Sequence, residues 1–263
     1  MLNVFKFNFK PYRLGLALSG GGARGFAHAG ALQAFEEMHI KPDVIAGVSA
    51  GSVVTVLYAA GLTPIEILEA FASAKFTDFA KLGMPSGGFF SMDGFKNFLK
   101  DNLRSYKNIE QLPIPSIICA TDLDQGIPVA FYDGEITERV AASCSIPIVF
   151  KPVKIDGHTY VDGGVIHNLP AWALRDKCKY VIGVNCSPVP DRGPADSIMD
   201  VAQRTYDIMV KSNARADMKL CDLAITIDDI ATHKVFSLAQ IERVFRIGYE
   251  TTMRELVKVG FRK

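Results

Sequence analysis

The stretch Asp43-Val44-Ile45-Ala46-Gly47-Val48-Ser49-Ala50-Gly51-Ser52-Val53-Val54-Thr55-Val56-Leu57-Tyr58-Ala59-Ala60 decides the fold. Its opening, 43–46, is an apolar run of strand character, and 50–60 reads as a helix. Between them lies Gly-x-Ser-x-Gly, the nucleophile-elbow pattern. The flanking Gly47 and Gly51 are expected to let the chain turn sharply enough to expose a strained serine above a sheet. Glycine and serine are common in loops, so the pattern carries weight only through this strand-to-helix context. In that context Ser49 is a candidate acyl-transfer nucleophile.

Upstream, 13–18 is a short buried strand, followed by Ser19-Gly20-Gly21-Gly22-Ala23-Arg24-Gly25 and a helix over 25–39. Gly20, Gly22 and Gly25 satisfy G-x-G-x-x-G, the dinucleotide-binding fingerprint. That reading requires an acidic residue near the end of the second strand to hold a ribose. Here Asp43 precedes the second strand, which ends in the serine elbow, so the dinucleotide reading is weak. A glycine loop opening a helix also presents backbone N–H groups at a positive helix end, which suits a developing oxyanion.

Downstream, Val149, Val153 and Ile155 have strand character, and the Asp156-Gly157 turn pair closes a hairpin over 149–161. Tyr160-Val161-Asp162-Gly163-Gly164 follows. Asp-Gly alone is ordinarily a turn; its company gives it more meaning. Gly-Gly-Gly-Ala-Arg-Gly at 20–25, Gly-Val-Ser-Ala-Gly at 47–51 and Asp-Gly-Gly at 162–164, in that order, resemble the patatin-like phospholipase family. The similarity continues through Ala142-Ser143-Cys144-Ser145-Ile146-Pro147 and Asn168-Leu169-Pro170, and covers roughly residues 13 to 230. The resemblance implies a three-layer α/β fold and a serine–aspartate dyad of Ser49 and Asp162. It also implies an oxyanion loop of Gly20, Gly21, Gly22 and Gly25 with Arg24 at the basic position, and an acid loop containing Gly163 and Gly164. Arg24 would orient that loop or meet a lipid phosphate. Asn168 before Pro170 reads as a helix cap that also anchors the Asp162 loop. Neither a cofactor nor a metal is implied.

Two function classes stay open. One is a lipid acyl hydrolase acting on phospholipid, lysophospholipid or acylglycerol, with an acyltransferase as its close variant. The other is a non-catalytic lipid-binding module that keeps the scaffold. Free aspartate is a weak base at neutral pH; partial burial of Asp162 would make it a better one. His167 and His233 follow Asp162 in the chain, so order alone leaves a serine–acid–histidine triad open.

Composition narrows the field further. The 263 residues are 49% hydrophobic and 22% charged, ordinary for a globular protein, and fit one domain over 13–263 behind an extension or edge strand at 1–12. A net charge of +1, with basic residues spread along the chain, argues against nucleic acid as a partner. Five cysteines without C-x-x-C spacing and five scattered histidines give no metal pattern. A reducing, cytoplasmic setting follows, with peripheral membrane contact and a homodimer paired through Phe5, Phe7 and Phe9 as further expectations.

Strands over 115–122, 127–132, 179–186 and 222–227 alternate with helices over 64–75, 93–103, 135–143, 170–176, 196–213 and 238–258. This alternation predicts a mainly parallel central sheet with helices on both faces. The glycine-containing aromatic stretch from Phe76 to Phe95 is the expected site of substrate specificity, either as an irregular core segment or as a mobile flap over an acyl groove.

Overall fold

The computed structural model describes residues 9–72, 81–82, 88–188, 197–231, 233, 237–238 and 240–262. The expected edge strand at Phe5 and Phe7 lies outside them, and Phe9 at its end is exposed. A central sheet runs in the order β11 (Leu223–Thr226), β10 (Cys178–Asn185), β1 (Tyr12–Leu18), β2 (Val44–Val48), β5 (Ser116–Asp122), β9 (His158–Asp162) and β8 (Val153–Ile155), with β6 (Ile127–Phe131) also paired to β5.

The helices are α1 (Phe26–Glu37), α2 (Ala50–Ala59), α3 (Pro64–Ala72), α4 (Asp93–Asn102), α5 (Ile136–Cys144), α6 (Trp172–Arg175), α7 (Ile198–Met218) and α8 (Ile241–Lys258). Alternate strand residues face opposite sides. Leu16, Leu18, Ile45 and Ile118 join a core with Leu32 of α1, Leu57 of α2 and Val140 of α5. Ala17, Val44, Ala46, Val48 and Ile117 instead meet Leu169, Ala173 and Leu174. Helices therefore cover both faces of the sheet. No helix of the described residues is long and apolar enough to cross a membrane.

The expected parallel arrangement holds from β11 through β10, β1 and β2 to β5. Beyond that the sheet is antiparallel, so it is mixed. Connection length explains two of these three antiparallel pairs. A parallel neighbour needs a crossover of a dozen or more residues, whereas β5–β6 and β8–β9 are joined by tight turns. The hairpin expected over 149–161 is shorter, because β7 (Ile148–Phe150) leaves to form a small separate sheet with β4 (Gly88–Ser91) and β3 (Lys81–Leu82).

One edge of β5 positions the site. Val48 of β2 pairs with Cys119, and the next β5 residue, Ala120, pairs with Asp162 of β9. Because β6 pairs with the same β5 residues from the other side, β2 and β9 must share one edge. β2 runs parallel to β5 and β9 antiparallel, so their C-terminal ends meet head to head.

Candidate active site

Ser49 sits between β2 and α2 with φ 51° and ψ −124°. Such a conformation in a non-glycine residue costs on the order of 1–3 kcal/mol and persists only where its surroundings enforce it. The strained residue is the serine itself. The glycines beside it provide close approach rather than a special dihedral angle: a Cβ on Gly51 would stand 2.2 Å from the Leu18 carbonyl oxygen, and one on Gly47 2.5 Å from the Gly51 oxygen. The turn is held by hydrogen bonds. Ser49 N–H donates to Ser143 Oγ at 2.8 Å, and Ser143 Oγ donates to the Cys119 carbonyl at 2.6 Å. Ser52 N–H donates to the Ser49 carbonyl at 2.8 Å and Ser52 Oγ to the same oxygen at 2.6 Å.

Asp162 is fully buried at the end of β9. Its N–H donates to the Ser145 carbonyl at 2.9 Å, and its Oδ1 accepts from Gly164 N–H at 2.8 Å. The Oδ2 atom has no partner of full hydrogen-bond geometry. The hydroxyls of Ser49 and Tyr206 nevertheless stand close enough to the carboxyl to draw its pKa down. Burial outweighs them and the Gly164 N–H, and the pKa rises from 3.8 to about 6. The partial burial expected from sequence is thus complete burial.

The glycine loop divides into anchored and open parts. Gly20 N–H donates to the Asn168 carbonyl at 3.1 Å, and its carbonyl accepts from Ser19 Oγ at 2.9 Å and from Ser187 Oγ. Gly20, expected among the oxyanion donors, is therefore an anchor. Gly25 lies inside the 3₁₀ turn Gly22–Gly25, where a Cβ would stand 2.5 Å from the Ala50 Cβ. Among the described residues no hydrogen bond engages the N–H of Gly21 or Gly22. Gly22 lies on the rim of both recesses described below.

Arg24 is buried, and its guanidinium is turned onto backbone carbonyls: Nη1 to Pro188 at 2.7 Å, Nε to His233 at 2.8 Å and Nη2 to Ala231 at 3.0 Å. Of its two expected roles, this geometry suits orientation of the loop and does not suit binding of a lipid phosphate. Behind the loop, the buried His28 bonds the Ser19 carbonyl through Nε2 at 2.8 Å and faces Cys186 Sγ through Nδ1 at 3.4 Å. Desolvation holds its pKa down at about 4.

Asn168 does not cap a helix. Helix α6 starts later, at Trp172, with no side-chain cap. Asn168 instead donates through Nδ2 to Ser187 Oγ at 2.8 Å and receives Gly20 N–H on its carbonyl, tying the glycine loop to the segment after Asp162.

Two recesses meet at Ser49. An apolar cavity of about 140 Å³ is walled by Phe26, Val53, Val54, Phe71, Met92, Phe95, Phe150 and Leu238. A smaller recess of about 30 Å³ has a mixed lining, with Asn168, Ser187, Tyr206 and Asp207 beside Ile146, Pro188 and Val210. Met92 and Phe95 are buried wall residues, and Phe90 packs on Phe150 with ring centroids 6.3 Å apart. The described end of the expected flap is thus cavity wall and core. Phe76, Phe79, Met84 and the side chains of Leu82 and Phe89 lie outside the described residues.

Among the described residues no histidine bonds Ser49 or Asp162. His167 Nδ1 pairs with Asp217 Oδ1 at 2.7 Å, and His233 contributes its carbonyl to Arg24. The ligand-type atoms of Asp122, Asp124 and His158 lie together. They are engaged in closing turns: Asp122 Oδ1 accepts from Asp124 N–H and Gln125 N–H, both at 2.9 Å, and Asp124 Oδ2 from Thr159 N–H at 2.7 Å. Ser187 and Tyr206 are site residues that sequence reasoning missed, and Ser143, expected only to line the pocket, holds the elbow. Ser143 lay within a quoted motif, but nothing in the motif shows that its hydroxyl reaches the elbow N–H.

A family profile described as Patatin-like phospholipase matches residues 16–175. An uncharacterized NTE family protein of Mycobacterium tuberculosis is 38% identical over 211 residues, covering 77% of this chain and 57% of that protein. Lysophospholipase NTE1 of Kluyveromyces lactis is 30% identical over 188 residues, covering 69% of this chain and 13% of that protein. The chain thus spans less than two thirds of the length of either relative. The solved structure of VipD from Legionella pneumophila matches with a TM-score of 0.51 at 14% identity, covering 94% of this chain and 67% of that one. That likeness bears on the fold alone.

Proposed function

The chain belongs to the patatin-like phospholipase family, and from that premise we propose that it hydrolyses acyl esters of lipids through Ser49 and Asp162. The observation that carries the reading is the meeting of the strained Ser49 with a buried carboxyl at the abutting ends of β2 and β9. Asp162, with its pKa near 6, is ionised at neutral pH yet basic enough to accept a proton. It removes the Ser49 hydroxyl proton as Oγ attacks the ester carbonyl carbon. The N–H groups of Gly21 and Gly22 meet the resulting oxyanion; one such donor is worth roughly 3–4 kcal/mol in other hydrolases. Collapse breaks the ester bond, the leaving alcohol takes the proton from Asp162, and acyl-Ser49 remains. Water then attacks with Asp162 again as base, releasing the fatty acid and restoring the serine.

The apolar cavity suits the acyl chain. A single-chain lipid such as a lysophospholipid suits one apolar cavity, and the lysophospholipase relative supports the same class. The test has two parts. A fluorophosphonate probe should label Ser49, and purified protein should release free fatty acid from a lysophosphatidylcholine. A folded protein that takes no label would refute the nucleophile; transfer of the acyl group to an added alcohol without fatty-acid release would make it an acyltransferase.

A further inference from the structure

Helix α7 presents one polar face, with Asp217 buried and Tyr206 and Asn213 half-buried, to the segment that follows Asp162. Asn213 donates through Nδ2 to the Gly164 carbonyl at 2.8 Å and accepts Asn168 N–H on Oδ1 at 3.0 Å. One turn further, Asp217 pairs with His167 and accepts Leu169 N–H at 3.4 Å. These residues clamp the loop backbone. Tyr206, on the same face nearer the helix start, reaches past the backbone, and its hydroxyl stands beside the Asp162 carboxyl, close enough to draw that carboxyl's pKa down. The path is open only because residue 164 has no side chain. A Cβ there would stand 2.7 Å from the Tyr206 hydroxyl and 3.1 Å from Asp162 Oδ1.

We propose that Tyr206 is a positioning residue of this site, whose hydroxyl donates to the Asp162 carboxyl and holds it toward Ser49. This rests on the serine–aspartate reading above. Burial and the neighbouring Asp162 raise the phenol pKa well above its ordinary value, so the hydroxyl keeps its proton and can act only as a donor to an ionised carboxylate. The other titratable groups facing the pair are Cys144 at the end of α5 and Asp207 on α7; Arg24 lines the same recess with its guanidinium on backbone carbonyls. Burial raises the Cys144 thiol far above neutrality, so it does not titrate where Asp162 does.

Removing the hydroxyl takes a donor from the ionised form of Asp162, so the carboxyl should hold its proton to higher pH. In Tyr206→Phe the acid limb of kcat/KM on a soluble short-chain ester should move up by about one pH unit. Turnover should then fall about five-fold at pH 6 and about two-fold at pH 7, with little change at pH 9. An unmoved acid limb, or a loss uniform across pH, would show that Tyr206 only packs. Should the phenylalanine variant fail to fold, 3-fluorotyrosine at this position keeps the shape and strengthens the donor; the limb should then move down, and no movement overturns the proposal. Fluorophosphonate labelling separates the two readings. An unlabelled wild-type Ser49 removes the dyad itself, whereas normal labelling with an unmoved limb removes only the role of Tyr206.

Discussion

The apolar cavity beside Ser49 is walled by Phe26, Val53, Phe71 and Phe95, whereas the smaller recess presents the polar groups of Asn168, Ser187 and Tyr206. The first wall acts through volume. Its contacts are non-directional, and such surfaces tolerate exchange of one apolar side chain for another of similar size. The second wall is a chain of hydrogen bonds running from Asn168 through Ser187 to Gly20, in which each buried group depends on the next. Under the proposed function, chain-length preference would vary by repacking the first wall, while the geometry around Ser49 would depend on the hydrogen-bonded second wall.

The sharpest way to break this contrast is at the reacting pair. Ser49→Ala should reduce ester turnover to background, and Asp162→Asn should lower it about 10²–10⁴-fold, as loss of a general base does. The second variant should at the same time be more stable. Because burial raises the Asp162 pKa from 3.8 to about 6, ionisation opposes folding. The stabilising contribution of the protonated form is fully present below pH 4 and lost as pH rises through 6. Asp162→Asn should therefore unfold at higher temperature than wild type at pH 8, with the gain shrinking toward pH 4. Thermal melts across that range check the sign; a variant less stable than wild type at pH 8 contradicts it.

A smaller, selective effect is expected on the apolar wall. Phe95→Leu should lower turnover of a long-chain lysophospholipid several-fold and leave a short-chain ester nearly unchanged, because only cavity volume is altered. Parallel loss on both substrates would erase the distinction between the walls. The smallest effect is expected from the histidines. His167→Ala removes a partner of Asp217 rather than a contact of the pair, so steady-state assays should retain most turnover. A loss near 10²-fold with folding intact would restore a triad.

Much of this was legible in the sequence because it is local. The strand–elbow–helix run around Ser49 and the glycine loop after β1 declare themselves through contiguous residues. The hairpin ending at Asp162 was foreseen but not its docking on β5, since alternation of strands and helices says nothing about which edge a hairpin will join. Asn168 was read as a cap from its neighbour Pro170, whereas its side chain is claimed by Ser187, a partner from another strand end. Arg24 was placed near substrate by its motif, but the carbonyls that hold it come from distant segments. Tyr206 lies on an ordinary amphipathic face of α7, and no spacing rule says which loop that face will meet.

The shared edge of β5 gives the strain at Ser49 a second meaning. A strand that continued straight beyond Val48 would pair with Ala120, the residue that β9 needs for Asp162. By turning the backbone out of the sheet at that residue, the elbow vacates the berth into which the acid docks. The same dihedral angle that lifts the hydroxyl clear therefore also limits how far β2 can grow. Ser49 and Asp162 are held in place as two tenants of one edge, each marking where the other must stop.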